Sequence, residues 1–190
     1  HSNTSWDFAK FEVAAQRYAD LSNADGGAAL LNDCKYGYCL RDNVLDLNLL
    51  RSTTYPDEEA DQGEHTFTYS FLPHAGMLTG SDVMSEAAQL NRPPLVFDGF
   101  SGNMEPPVRL LESDGATLEV LKKAEKRKVL VIRLAETKGK YSKVRLKIKD
   151  GCLAETDLLE WKRLSMQTPN KGVIEVALQP FELKTFTLES

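Results

Sequence analysis

The sequence predicts an all-β chain: an antiparallel β-sandwich, or two stacked β subdomains, with at most one or two short helices. Three observations carry this. Apolar residues recur with a period of two in many short runs, the pattern of half-buried strands. Turn-forming residues separate those runs at close intervals. Only one stretch has clear helical spacing.

In chain order, Leu30-Leu31 forms an apolar strand that runs directly into polar residues. Leu45, Leu47 and Leu49 alternate with Asp46 and Asn48, and Phe67, Tyr69 and Phe71 with Thr66, Thr68 and Ser70. Ser81-Asp82 can cap a helix that runs through Leu90 and places Val83, Ala87 and Leu90 on one face. Pro93-Pro94 ends it, because the ring removes a donor and restricts the residue before it. Residues 118–121, 153–159 and 182–189 read as strands, and the continuously apolar 129–134 as a central one. In 143–149 every second residue is apolar and the rest are basic. Ile174, Val176 and Leu178 alternate with Glu175 and Ala177. Asp25-Gly26-Gly27, Arg41-Asp42-Asn43, Asp114-Gly115, Lys138-Gly139, Asp150-Gly151 and Asn170-Lys171-Gly172 suit the tight connections. Residues 98–107 hold Gly99, Gly102, Pro106 and Pro107, and read as a linker or long loop. It separates an N-terminal β part, 1–97, from a terminal sandwich part, 108–190.

Composition bounds the function. With 42% apolar and 27% charged residues in 190, the chain is an ordinary globular one, with enough length to bury a core. Lys and Arg total 23 against 28 Asp and Glu, a net charge of −5, which argues against a nucleic-acid partner. The basic run 122–128 lacks interleaved aromatics and reads as a solvated turn. No apolar run approaches the roughly 18 residues of a membrane span, so no membrane partner is expected. No signal peptide is visible, and a chain that starts at His1 is expected to be a piece of a longer one. The three cysteines Cys34, Cys39 and Cys152 favour free thiols in a reducing, cytoplasmic compartment over a disulfide scaffold. Asn3-Thr4-Ser5 fits a glycosylation sequon, read as incidental in that setting.

Self-contained catalysis is hard to find. There is no phosphate-binding glycine loop and no nucleophile elbow. His1, His65 and His74 are scattered, with no C-x-x-C pair. The acidic run Asp57, Glu58, Glu59, Asp61, Glu64 reads as a solvated loop, since Gln62 occupies the position where a calcium loop needs glycine. The distinctive segment is Asn32-Asp33-Cys34-Lys35-Tyr36-Gly37-Tyr38 at a strand end. Carboxylate, amide and aromatic ring together suit sugar hydroxyls and a sugar face. The same residues also suit a polar loop that closes one strand onto the next.

Asn3-Thr4-Ser5-Trp6-Asp7, Phe11-Glu12-Val13, Gln16-Arg17, Ala19-Asp20-Leu21-Ser22 and the 30–37 segment resemble the C-terminal region of family 38 glycoside hydrolases, the α-mannosidases, and most closely the cytosolic type. The resemblance continues through Leu49-Leu50-Arg51-Ser52, Tyr55-Pro56-Asp57, Ala60-Asp61-Gln62-Gly63-Glu64-His65, Phe67-Thr68-Tyr69 and Pro73-His74. It is looser in 130–136, 156–160 and 180–185, and weakest over 79–108. It implies the terminal β portion of a retaining zinc enzyme that cleaves α-mannosidic bonds. The zinc ligands and the nucleophile belong to a catalytic domain elsewhere in the same polypeptide, and no residue here matches those motifs. The expected role is therefore non-catalytic: this fragment carries no cofactor and completes the enzyme. An independent carbohydrate-binding module for mannose-containing glycans, or an oligomerisation module giving a homo-oligomer, are the alternatives. Exposed aromatics would mark the former; Trp6 and Trp161 are read instead as packed. The candidate substrate-binding or interface residues are Asn32, Asp33, Lys35, Tyr36, Asp61 and His65, on two loops expected to lie together. Otherwise Asp33 and Lys35 pair with each other or with His65 and brace the loop.

Overall fold

The computed structural model describes residues 4–99, 102 and 105–189. Asn3, the acceptor of the sequon, lies outside the described residues, as do residues 100, 101, 103 and 104 of the expected linker. The chain divides into two compact units, His1–Asp98 and Gly99–Ser190.

The first unit opens with a single helical turn, α1 (Ser5–Phe8), whose Asp7 amide is capped by the Thr4 hydroxyl. Strands β1 (Val13–Ala14), β2 (Tyr18–Ser22), β3 (Gly26–Asn32), β4 (Gly37–Arg41), β5 (Val44–Leu47) and β6 (Tyr69–Ala75) follow, then α2 (Val83–Asn91). They form two antiparallel three-stranded sheets, ordered β2-β3-β6 and β1-β4-β5. The small core joins Ala29 and Leu31 of β3 to Val83 and Ala87 of α2, with Tyr18, Leu72, Leu78 and Leu90 packed around it. The expected helix and its apolar face are present; Asp82 holds the N-cap position without a side-chain capping bond, and the Ser81 hydroxyl accepts the Val83 amide at 3.3 Å.

Two expectations are corrected in this unit. Gly26-Gly27 is not the turn but the start of β3; the Asn23 side chain makes the turn by accepting the Asp25 and Gly26 amides. On β6, Tyr69 and Phe71 face outward at 58% and 63% exposure, while Leu72 and His74 point inward. The reason is register: Leu72 pairs with the fully buried Ala29, which commits its face of the strand to the core.

The second unit is a two-sheet sandwich. It comprises β7 (Val108–Ser113), β8 (Ala116–Lys123), β9 (Leu130–Glu136), β10 (Ser142–Ile148), β11 (Cys152–Thr156), β12 (Arg163–Gln167), β13 (Val173–Leu178) and β14 (Leu183–Glu189). A three-stranded sheet, β13-β10-β7, faces a five-stranded one, β12-β11-β14-β9-β8, with every pairing antiparallel. The inner faces meet in one core: Val144, Leu146, Ile148, Val176 and Leu178 from the first sheet, Ile132, Leu134, Leu153 and Phe186 from the second. The alternation of 143–149 is realised as far as Ile148, where β10 ends, and β9 is an interior strand of the larger sheet. Residues 157–160 are a turn instead of the end of a strand.

One buried carboxylate organises an end of this unit. Glu136, 3% exposed, accepts the amides of Lys138, Gly139, Lys140 and Phe181 at 2.8–3.3 Å. Burial works to raise its pKa, but these bonds prevail and hold it below the usual carboxylate value. Gly139 is required there twice over: its φ is +71°, and a Cβ would lie 2.7 Å from the Phe181 ring.

Candidate functional site

Strand β3 carries an apolar run that ends in one buried amide. Asn32, 1% exposed, has every polar group engaged. Its N–H donates to the Arg17 carbonyl at 2.8 Å and its carbonyl accepts from the Asn91 side chain at 3.0 Å. Its side-chain oxygen accepts the Cys34 and Lys35 amides, and its NH2 group donates to the buried Tyr38 hydroxyl. Burial pushes the Tyr38 phenol above its usual pKa, only partly offset by that bond. A saturated amide at a strand end fixes the loop that follows it.

On that fixed loop, both carboxylate oxygens of Asp33 receive the Thr68 amide, at 3.0 and 3.1 Å, and the Asp33 amide donates to the Thr68 carbonyl at 3.2 Å. The Thr68 bond, with a second from Cys34, pulls the Asp33 pKa below the usual carboxylate value; the bond to Asp33 raises the Cys34 thiol in turn. The Lys35 ammonium lies 4.9 Å above the Phe67 ring. The Tyr36 carbonyl accepts the Ala15 amide, and its ring is 58% exposed. With Gln16, Arg17 and Asn91, residues 32–36 wall a cleft of about 170 Å³. That is below the roughly 300–1,000 Å³ of a pocket for a larger ligand, so the cleft suits one ring-sized group or part of a site completed by other residues. Two cationic side chains, Arg17 and Lys35, and one carboxylate, Asp33, are among the residues that line it.

Asp33 and Lys35 reach Thr68 and Phe67, which lie just past the Asp61–His65 segment. Asp61, at φ +61°, accepts the Ser52 amide at 2.8 Å, and the His65 Nε2 lies 2.8 Å from the Asp61 carbonyl. Both are exposed, and neither hydrogen-bonds to residues 32–36 among the described residues. Among the described residues no ion pair or hydrogen bond joins the Asp33 and Lys35 side chains to each other or to His65; their partners are Thr68 and Phe67. Trp6 and Trp161, expected to be packed, are 82% and 66% exposed. All three cysteines are free thiols. Among the described residues no cluster of three or more His, Cys, Asp or Glu is gathered that could hold a metal ion, and no helix is long and apolar enough to cross a membrane.

Sequence reasoning missed Gln16, Arg17 and Asn91 as cleft residues, and no local pattern marks them. It also missed a buried relay in the first unit. The Leu78 amide donates to Ser22 Oγ, Ser22 Oγ donates to Asp20, and Asp20 lies 2.6 Å from His74 Nε2. In the second unit Glu160, at φ +65°, is held by Lys122 at 2.8 Å and Arg133 at 3.4 Å.

These features define a pair of antiparallel β units with a polar cleft at a strand end of the first. Residues 1–59 match the glycosyl hydrolases family 38 C-terminal domain, and residues 115–186 the family 38 C-terminal beta sandwich domain. Alpha-mannosidase 2C1 of Mus musculus is 37% identical over 99% of this chain and 19% of its own length. Alpha-mannosidase G of Dictyostelium discoideum is 36% identical over 98% of this chain and 18% of its own. A crystal structure of a glycosyl hydrolase family 38 protein from Enterococcus faecalis shares the fold, with a TM-score of 0.70 at 19% identity, over 94% of this chain and 22% of that one. The chain belongs to glycoside hydrolase family 38, as its C-terminal β region. It spans about a fifth of the length of the relatives it matches.

Proposed function

We propose that the chain is the non-catalytic terminal β region of an α-mannosidase, completing an enzyme that hydrolyses α-mannosidic bonds. The observation that carries this is identity to two proteins named as alpha-mannosidases over nearly the whole of this chain and under a fifth of theirs. In this reading the partner is the catalytic domain of the same polypeptide, which supplies the zinc and the nucleophile. The free thiols suit a cytoplasmic setting.

Within that enzyme the cleft at residues 32–36 buttresses the substrate pocket. Asn32 and Asp33 are positioning residues, since their polar atoms hold the loop; Lys35 and Tyr36 are the side chains that present toward a mannose-containing glycan. Asp61 and His65 shape the neighbouring loop. The test uses full-length enzyme. Lys35→Ala is expected to lower kcat/KM about tenfold with Tm nearly unchanged, the loss of one charged hydrogen bond. Asp33→Ala is expected to lower Tm as well, because the Thr68 amide loses its acceptor. Unchanged kinetics in both variants reject the pocket role. Sugar binding by the chain alone is the second reading, favoured by the exposed Tyr36 at the cleft; titration with mannobiose decides it.

A further inference from the structure

Tyr69 and Phe71 of β6 leave their rings in water, and Phe67 just before the strand is half-buried. Residues 67–71 are three aromatic rings separated by two hydroxyl side chains, with no charge and no aliphatic group. The Phe67 and Tyr69 rings are stacked, with centroids 6.5 Å apart and planes 29° from parallel. Tyr69 and Phe71 stand two positions apart on one strand, so they leave the same face about 7 Å apart. The rings form a strip on the outermost strand of the sheet β2-β3-β6.

The strip begins at the cleft. Tyr69 is the register partner of Asn32, the last residue of β3, and Phe71 that of Leu30. Asp33 holds the Thr68 amide, between Phe67 and Tyr69, with both carboxylate oxygens. Lys35 lines the cleft and sets its ammonium 4.9 Å from the Phe67 ring centre. One loop therefore fixes both the cleft and the near end of the strip, and pre-ordered rings lose little entropy on binding. The edge of β6 is not open to an added strand, because Pro73 takes an N–H out of it. With no charged side chain among residues 67–71, the strip has no complement for a charged partner. It suits a neutral sugar chain, whose C–H faces meet the negative faces of aromatic rings while its hydroxyls stay in water.

We propose that Tyr69 and Phe71 are a stacking strip for a neutral mannose oligosaccharide that extends out of the cleft. This rests on the sugar-binding reading of the cleft given above, and it adds the length of the ligand. A cleft of about 170 Å³ takes one ring-sized group, so the rest of a longer chain lies outside it. Tyr69 and Phe71 each carry one further ring, and Phe67, held beside Lys35, aligns Tyr69. Stacking reads ring faces rather than a pattern of hydroxyls, so the strip selects for chain length.

Titration of the 190-residue chain with α-linked mannobiose and mannopentaose tests this. The unmodified chain is expected to bind mannopentaose at least about fivefold more tightly than mannobiose. Tyr69→Ala and Phe71→Ala should each remove most of that gain and leave mannobiose affinity unchanged. Tyr69→Phe, which keeps the ring, should retain the gain. Far-UV circular dichroism checks that these surface variants remain folded. Lys35→Ala should weaken both sugars together and so reports on the cleft alone. A length gain that depends on Tyr69 and Phe71 but not on Lys35 supports the strip and rejects the cleft reading. Mannobiose binding that responds to Lys35→Ala, with no length gain or one indifferent to both alanine variants, keeps the cleft and overturns the strip. A chain that binds neither sugar overturns both. In full-length enzyme, a Tyr69→Ala variant with lowered Tm and an unchanged preference for the longer sugar would show the strip packed against the rest of the polypeptide, and would also overturn the proposal.

Discussion

His74 is held by acceptors at both ring nitrogens: Asp20 Oδ2 lies 2.6 Å from Nε2 and the Ala75 carbonyl 3.4 Å from Nδ1. A neutral imidazole has one N–H, so only the imidazolium donates to both. The Asp20 bond therefore raises the His74 pKa above its ordinary value, against the opposing effect of burial. A pKa raised on folding contributes stability that is full below the unfolded value, near 6.5, and is lost as pH rises through the folded one. The expected outcome is a melting temperature that falls as pH is raised above about 6.5, and a flatter profile for His74→Gln. Thermal melts of both proteins across that range measure it; identical slopes would remove His74 as the cause. None of this was legible locally. His74 and Asp20 stand 54 positions apart, and they meet on the strand face where β3 carries Gly27 between Ser22 and His74. A Cβ on Gly27 would lie 2.3 Å from that of Ser22, so the glycine read as turn chemistry is instead the gap in the sheet face beside the relay.

At the scale of elements, a strand was legible where its pattern and its environment agree. β10 alternates apolar and basic residues, and Val144, Leu146 and Ile148 are at most 2% exposed. Leu146→Ala is expected to cost about 2–5 kcal/mol, the transfer loss plus a cavity the neighbouring core cannot refill. Arg145→Ala, which breaks only the exposed pair with Glu112 at 2.8 Å, should cost about 1 kcal/mol or less. Urea denaturation of the second unit separates the two; similar midpoints would contradict the inward face assigned to β10. β6 shows why pattern alone can point the wrong way. Tyr69 and Phe71 satisfy the alternation as well as Leu72 and His74 do, and only pairing with β3 decides which pair turns inward. β12 left no usable signal: Leu164 and Met166 alternate with Ser165, but the strand has no buried face, so nothing in its composition distinguishes it from a loop. Glu136 was invisible for a further reason. Its partners are backbone amides, which have no side-chain signature.

At the scale of the molecule, the two units divide the chemistry unevenly. The second is a sandwich around one apolar core, and its buried carboxylates Glu136 and Glu160 are consumed by structural bonds. The first has a smaller core and carries the cleft, whose single carboxylate, Asp33, is committed to the Thr68 amide. Retaining glycoside hydrolysis needs two carboxyl groups about 5 Å apart, one of them free to act as nucleophile. The acidic side chains of the 57–64 loop do not meet that need: Asp57 accepts the Glu59 amide, Asp61 accepts the Ser52 amide, and all of them are exposed to water. The chain on its own is therefore expected to show no turnover of an aryl α-mannoside, with or without added zinc. The purified 190-residue chain, assayed with and without zinc, tests it. Metal-dependent hydrolysis that disappears on substituting a residue of this chain would place the chemistry here and overturn the non-catalytic reading. An inactive chain that, mixed with a truncated enzyme lacking this region, restores activity would show that completion of the fold is what the β units contribute.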